Sequence, residues 1–196
     1  LVALRENGQM LYSEAEIVEL RSNVKIEKIY LLDQYVKKEN FDLLSFEDKR
    51  SYLERHHCFV EVSPTVKNAL SDADIIIYSS GTQHSSLYPS YLSVGLARAI
   101  AENKRALKIF VTNIGADYES PSYKASDFIK GAYRYLKLSD SVDYKIKDLF
   151  SYNLINSSHN KADETYVQVD ESELKKFDLP YIVNNYESSD NPGKHD

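Results

Sequence analysis

The chain has no tryptophan, one cysteine and one methionine, and none of its apolar runs approaches the length of a membrane span. Each shortage excludes something. A bilayer-spanning helix needs about 20 predominantly apolar residues, so no membrane partner is expected. The single thiol, Cys58, cannot form an internal disulfide. That fits a reducing compartment and leads to the expectation of a cytoplasmic protein. No secretory leader is visible. Positive charge is also short: Lys and Arg number 24 against 30 Asp and Glu, a net charge of -6. No dense basic block offsets this balance, so a nucleic-acid partner is not expected.

What remains is enough to fold. The 196 residues are 42% hydrophobic and 28% charged, which allows one sizeable core or a core with a small appendage. The 16 tyrosines read as a compositional habit of the source and not as a site. The chain begins Leu-Val-Ala-Leu, inside a strand pattern and without Met. The expectation is therefore the later part of a longer protein, or a chain lacking its beginning.

Local patterns give the elements. Val2 to Ser13 reads as a hairpin, with Asn7-Gly8 suited to a type I′ turn. Ser22 to Leu32 reads as a strand. Asp33 to about Glu61 scatters apolar residues among many charges and reads as a helical, peripheral segment. Ser63-Pro64 opens a helix through Leu70, Ser at the N-cap and Pro at the first helical position. Ala73 to Tyr78 is a buried strand, Pro89 to Asn103 a helix, and Leu107 to Thr112 a strand. These three make a βαβ unit with a right-handed crossover. Ser126 to Leu138 follows as a helix, Asp148 to Asn156 as a strand, and Asn156 to Glu164 as a polar loop. Thr165 to Val169 is a strand candidate. Asp170 to Glu173 caps a short helix to Phe177, and Leu179 to Val183 is the last strand. Ser188 to Asp196 reads as a polar tail.

The most informative stretch follows the Ala73–Tyr78 strand. Between Ser79 and Ser86 lie five hydroxyl residues and one glycine. Ser80, Gly81, Thr82, Ser85 and Ser86 have the chemistry to wrap a phosphate or diphosphate: small residues let the backbone approach, and hydroxyls donate to phosphate oxygens. Ligands of open α/β sheets sit at such strand ends. The ordinary alternative is a solvated βα loop using Ser and Thr as caps. The spacing is not that of a P-loop, because the lysine is missing. At the next strand end, Asn113 has the groups to bond a base or sugar, and Asp117 to hold a cation or a ribose hydroxyl. The alternative there is an Asx-turn. His84 is a candidate acid or base, weakly so as a lone loop histidine. His56-His57-Cys58 lacks a second pair at zinc spacing and reads as structural. His159 reads as a solvated loop residue. Ser/His/Asp catalysis has no nucleophile elbow to support it, and no catalytic residue is assigned.

The stretch from residue 73 to 103 resembles the family of the 2-phospho-L-lactate transferase CofD and the gluconeogenesis factor YvcK. Ala73-Asp74 opens the strand as in that family, and Gly81, Thr82, Ser85, Ser86 and Pro89 fall on its loop pattern. The likeness continues in order along the chain. It includes Val2 to Gly8, Ser63 to Leu70, Val111-Thr112-Asn113, the acidic Glu119, Tyr123 to Asp127, and Leu154-Ile155-Asn156. His195-Asp196 looks like the Arg-His-Asp of the YvcK branch. The departures are Ser79-Ser80 where the family has Gly-Pro, Gly115-Ala116-Asp117 where it has Met-Thr-Gln, and residues 33–61, which look like a helical insertion. The family's N-terminal Gly-rich phosphate loop has no counterpart and would lie upstream of Leu1.

The resemblance implies one α/β domain over residues 1–196, with a Rossmann-like three-layer fold, a mostly parallel sheet, an N-terminal β-hairpin and a helical insertion. It implies a small-molecule ligand, a nucleotide diphosphate or nucleotide-sugar, and for transferase members a divalent cation such as Mg²⁺. A homodimer is compatible with it. Gly81, Thr82, Ser85 and Ser86 would contact the diphosphate, with Ser80 beside them. Asn113 and Asp117 would contact the nucleoside, sugar or cation, and Ser126 and Asp127 are weaker candidates that a helix cap explains equally well. Three functions follow as expectations: a nucleotide-sugar-binding regulator of carbon or envelope metabolism, a phospholactate-type transferase with a deazaflavin or related hydroxyl acceptor, and a scaffold that has lost its ligand.

Overall fold

The structure is a computed structural model that describes residues 1–140, 142–157 and 165–195. It opens with strands β1 (Val2–Arg5) and β2 (Met10–Leu11), helix α1 (Glu14–Glu19) and strand β3 (Ile26–Tyr30). The strands form an antiparallel sheet of order β2-β1-β3. The β1–β2 turn differs from the type I′ expectation. Gly8 takes a positive φ of 83°, but Asn7 does not. Gly8 N–H donates to the Arg5 carbonyl, and Arg5 N–H to the Gln9 carbonyl, both at 2.9 Å. That is a three-residue loop closed by a glycine in the left-handed region, the second most common hairpin solution. Helix α1 lies between the expected hairpin and strand, where the residue pattern alone marks no element. Its start is marked by Ser13, whose hydroxyl accepts the Glu16 N–H, while the Glu16 carboxylate accepts the Tyr12 N–H.

Side-chain alternation gives this sheet two apolar faces. Ala3, Leu11 and Ile29 point to the main core, and Val2, Leu4, Met10 and Tyr30 point the other way. Helices α2 (Lys38–Phe41) and α3 (Phe46–Arg55) lie in the 33–61 segment. Val36, Phe41 and Leu53 from that segment close over the outer face.

Helix α4 (Pro64–Asp72) starts at Ser63, whose hydroxyl accepts the Val66 N–H. Strand β4 (Ile75–Tyr78) follows, then a π-helical turn (Gln83–Leu87) that runs into helix α5 (Tyr88–Tyr91), and then helix α6 (Leu96–Glu102) and strand β5 (Leu107–Val111). The single helix expected from Pro89 to Asn103 is thus broken. Val94 is drawn into extended pairing, its N–H donating to the Val60 carbonyl and its carbonyl accepting from Val62. Gly95, at φ 84°, turns the chain back into α6. Helices α7 (Ala125–Leu138) and α8 (Ile146–Leu149), strand β6 (Tyr152–Asn156), helix α9 (Glu171–Leu174) and strand β7 (Tyr181–Asn184) complete the order. Thr165–Val169 contributes isolated bridges and not a strand. Asp170 does not cap α9 with its side chain; its carboxylate accepts the Ser126 N–H and hydroxyl instead.

The second sheet is parallel, in the order β4-β5-β6-β7. Spatial order equals chain order, so every crossover steps the same way. Right-handed crossovers then place all the connecting helices on one face. That face, with Ile76, Tyr78, Phe110 and Ile155, joins the main core. The other face is apolar and open: Ile75, Ile77, Leu107, Tyr152 and Ile182 are exposed. The helices are shared between the two sheets. Tyr88 stacks on Tyr135 at 4.3 Å, and the Tyr135 hydroxyl accepts the Ile29 N–H of β3 at 3.0 Å. Among the described residues no helix is long and apolar enough to cross a membrane.

Candidate functional site

Register brings three strand ends to one edge: Tyr78 lies beside Phe110, Phe110 beside Asn153, and Val111 beside Leu154. The chain leaves β4 through Ser79 to Thr82, and leaves β5 through Thr112 and Asn113. These two exits are tied together. Gly81 N–H donates to Asn113 Oδ1 at 3.0 Å, and Asn113 Nδ2 donates back to the Gly81 carbonyl at 2.9 Å. Gln83 Nε2 adds a bond to the same carbonyl at 2.8 Å. The amide of Asn113 thus imitates a strand neighbour and fixes the loop. Gly81 is not held there by its backbone angle, and an added Cβ would meet only Leu87 at an ordinary 3.7 Å.

The start of the π-helical turn has an occupant from within the chain. Glu119, 1% exposed, accepts the His84 and Ser85 N–H groups at 2.9 Å and the Ser85 hydroxyl at 2.5 Å. Free amides at a helix start attract anions, and here a carboxylate already sits on two of them. Burial raises the Glu119 carboxyl above its ordinary value, against the pull of the Ser85 and His84 hydrogen bonds. Asp117 forms an Asx-type turn, one oxygen accepting from Glu119 N–H, Ser120 N–H and the Ser120 hydroxyl. Thr82 and Ser86 remain toward solvent, their hydroxyls 2.7 Å apart. Ser80, just upstream, is half-buried.

Three buried amide side chains at or next to this edge have an atom without a partner: Gln83 Oε1, Asn153 Nδ2 and Asn156 Nδ2. Asn156 uses its Oδ1 to accept the Tyr186 N–H. Neither Gln83 nor Glu119 was singled out as a site residue from pattern alone. The signal for Glu119 was its position after Asn113; Gln83 gave none. The C-terminal residues, expected as a polar tail, fold back. His195 pairs with Glu187 and is held low by burial, offset by a hydrogen bond with the Thr112 backbone. Asp196 and His159 lie outside the described residues.

His84 is a core residue. It packs edge-on against Tyr88 and Tyr123, and burial, aided by the charge of Arg134, lowers it to about 3. It is neutral near pH 7, so it lacks the imidazolium form that an acid role needs. Ser126 bonds Asp170, and Asp127 caps Lys124 and pairs with Lys25, so both are tied into the frame of α7. His57 Nδ1 accepts the Leu31 N–H. Among the described residues no three His, Cys, Asp or Glu side chains converge as metal ligands. Asp117 and Glu119 spend oxygens on internal donors, so the residues present do not fit a divalent cation by themselves.

These strand ends can be compared with known proteins. The family model described as 2-phospho-L-lactate transferase CofD matches residues 1–186. A Thermotoga maritima protein named "Putative gluconeogenesis factor" is 29% identical over 139 residues, covering 69% of this chain and 43% of that protein. A crystal structure of a UPF0052 family protein from Bacillus halodurans covers 100% of this chain at TM-score 0.71 and 18% identity. A second crystal structure of that Bacillus halodurans protein covers 96% at TM-score 0.68. The first two relatives extend further: this chain covers 43% of one and 55% of the other. The structural likeness speaks for the fold alone. The family match spans both sheets and the tied loops between them, and on it the chain belongs to the CofD family.

Proposed function

We propose that the carboxyl edge of the parallel sheet binds the diphosphate part of a nucleotide or nucleotide-sugar, in a regulatory role in carbon or envelope metabolism. The observation that carries this reading is the buried Gln83 Oε1, which has no partner, in a loop that Asn113 ties to the neighbouring strand end. Buried polar atoms are rarely left unpaired without a reason, such as a ligand or water. The Thr82 and Ser86 hydroxyls in the same turn as Gln83 can turn from each other to a phosphate oxygen. The name of the Thermotoga maritima relative agrees with a role in carbon metabolism.

The family description names a transferase. Transfer to a hydroxyl acceptor, deazaflavin or related, requires neutralisation of phosphoryl charge. The loop residues described above bring neutral donors and two carboxylates to this edge. Any cation or basic group for transfer would have to come from elsewhere, and binding is the better-supported reading. A second reading rests on Glu119. Its carboxylate fills the amides that an anion would use, as a scaffold that has lost its ligand would.

The test is thermal shift of the natural-length protein with guanosine nucleotides, UDP-sugars and deazaflavin, with and without magnesium. A ligand at 100 times its Kd stabilises by about 2.7 kcal/mol. Stabilisation by a nucleoside diphosphate or UDP-sugar, lost in Thr82→Val/Ser86→Ala, is the expected result. No shift with any of them gives the scaffold reading instead. Gly81→Ala, which the loop accommodates, should leave stability unchanged without ligand.

A further inference from the structure

Helices α4 and α6 stand side by side, and a cleft of about 470 Å³ opens between them. It lies at the amino ends of β4 and β5, the end of the sheet opposite the candidate site. Its floor is fixed. Asn103, 8% exposed, donates through Nδ2 to the Leu70 and Ala73 carbonyls at 2.8 Å and accepts the Arg105 and Ala106 N–H groups at 3.0 Å. One amide thus ties the end of α4 to the loop that leads into β5. The walls are basic. Lys67 comes from α4, Arg98 from α6, and Lys104 and Arg105 from the loop, against one lining carboxylate, Glu102. Positive charge gathers here in a chain whose net charge is -6.

Surface ion pairs are the ordinary account of such a cleft, and three of the four cations have them. Asp140 lies 3.8 Å from Arg98 Nη2, Asp148 3.0 Å from Lys104 Nζ, and Asp74 3.0 Å from Arg105 Nε. These contacts orient the side chains without using them up. A guanidinium carries five N–H donors. Asp140 and Tyr144 engage Arg98, and Asp74 and the Asp72 carbonyl engage Arg105, which leaves donors over on both. Lys67 has no ion-pair partner among the described residues. Its Nζ lies across Gly95, where a Cβ would stand 3.6 Å from it. We infer that this cleft binds a small ligand carrying phosphoryl groups. The donors arrive from α4, α6 and the loop, three directions that suit the tetrahedral oxygens of a phosphoryl group better than a planar carboxylate. The volume falls within the roughly 300–1,000 Å³ of small-molecule sites. Asn68 and Ser71 line the α4 wall with neutral donors. The ligand is separate from the one proposed for the carboxyl ends of the strands.

The test is isothermal titration of the natural-length protein with inorganic pyrophosphate at physiological ionic strength, where exposed charges are screened. Succinate is the dicarboxylate comparison, and amide NMR shifts locate the ligand. Saturable binding is expected, with shifts at residues 67–71 and 95–105 and binding of succinate at least about tenfold weaker. Lys67→Ala and Arg98→Ala should each weaken pyrophosphate about tenfold, the scale of one hydrogen bond to a charged group. Both side chains are exposed, so their truncation leaves the fold intact. Lys37→Ala, an exposed lysine of the 33–61 segment, should change nothing. Absence of binding, or unsaturable binding that all three substitutions weaken alike, overturns the inference in favour of a solvated basic surface. Equal binding of succinate overturns the phosphoryl assignment. Shifts confined to residues 79–86 overturn the cleft and support the diphosphate reading at the other end of the sheet, so the two failures are separable.

Discussion

The three-stranded antiparallel sheet is packed on both faces, and the four-stranded parallel sheet is packed on one. Strand direction would suggest the reverse. An antiparallel sheet can leave one face in water, while a parallel sheet is normally buried on both sides. The difference shows which surface is finished. In β1 every residue is buried: Ala3 faces the main core, Val2 and Leu4 face the 33–61 segment, and Arg5 donates to the Val24 and Leu20 carbonyls. In β4 the burial alternates although the sequence does not: Ile75 and Ile77 are exposed, Ile76 and Tyr78 buried. β4 therefore alternates in exposure but not in hydrophobicity.

The largest effect is expected from truncating one residue of each sheet in the natural-length protein. Leu4, fully buried between β1 and the 33–61 helices, should lose about 2–5 kcal/mol as Leu4→Ala. Ile77 is 62% exposed, so Ile77→Ala should lose no more than about 0.5 kcal/mol, the surface range. A loss on the scale of Leu4→Ala would mean that the two sheets do not differ in burial. Denaturant midpoints at constant slope measure both.

A smaller effect is expected in the helical layer that the two sheets share. A Cβ on Gly131 would collide with the Tyr88 hydroxyl and lie 2.7 Å from Cζ of the same ring. Overpacking of this kind costs about 1–3 kcal/mol, so Gly131→Ala should lower Tm and loosen both sheets together. Tyr88→Phe removes a buried hydroxyl that has no partner and should be neutral or stabilising on its own. Combined with Gly131→Ala it should recover part of the loss. Loss of near-ultraviolet signal from one sheet only would show that the layer does not couple them.

Acid gives a third test, because the loop that joins β4 to the shared helices carries His84. Its ordinary value is 6.5 and burial brings it to about 3. Between those values the unfolded chain holds a proton that the folded chain does not. Stability is therefore complete above about pH 6.5 and falls as pH drops toward 3, with a slope approaching about 1.4 kcal/mol per pH unit. Glu119, raised by burial, works in the opposite sense: its contribution is present below the ordinary carboxyl range and is lost as pH rises through its raised value. His84→Leu should remove the first slope and leave the second. An unchanged acid limb would locate the proton uptake elsewhere.

Much of the parallel sheet was legible in the sequence because its strands are short apolar runs bounded by Ser, Asn and Pro. Ser63-Pro64 and the Ala125–Leu138 periodicity marked helices that the structure contains. What failed, failed for tertiary reasons. The Pro89–Asn103 pattern is helical in its spacing, but Val94 has a strand-like partner at Val60–Val62 that no local window contains. Asn7-Gly8 suits two turn types, and the choice lies with the strands that flank it. The candidate site was legible as a loop but not as a network. The pattern gives Ser85 a hydroxyl to offer; only the fold places Glu119 against it.

The smallest effect concerns that network and separates the site edge from the sheet beneath it. Asn113 binds the Gly81 backbone through both halves of its amide, joining the exit of β4 to that of β5. Asn113→Asp keeps an acceptor for the Gly81 N–H but loses the donor to the Gly81 carbonyl. It also places a carboxylate oxygen against that carbonyl. One neutral hydrogen bond contributes about 0.5–1.5 kcal/mol, so a global loss near that size is expected. Hydrogen exchange should speed up at residues 81–83, while the β4–β5 ladder, held by its own register from Ile75 to Tyr78, keeps its protection. If the ladder amides exchange faster to the same extent, Asn113 holds the sheet and not the loop. The edge would then have no independent geometry for a ligand to use.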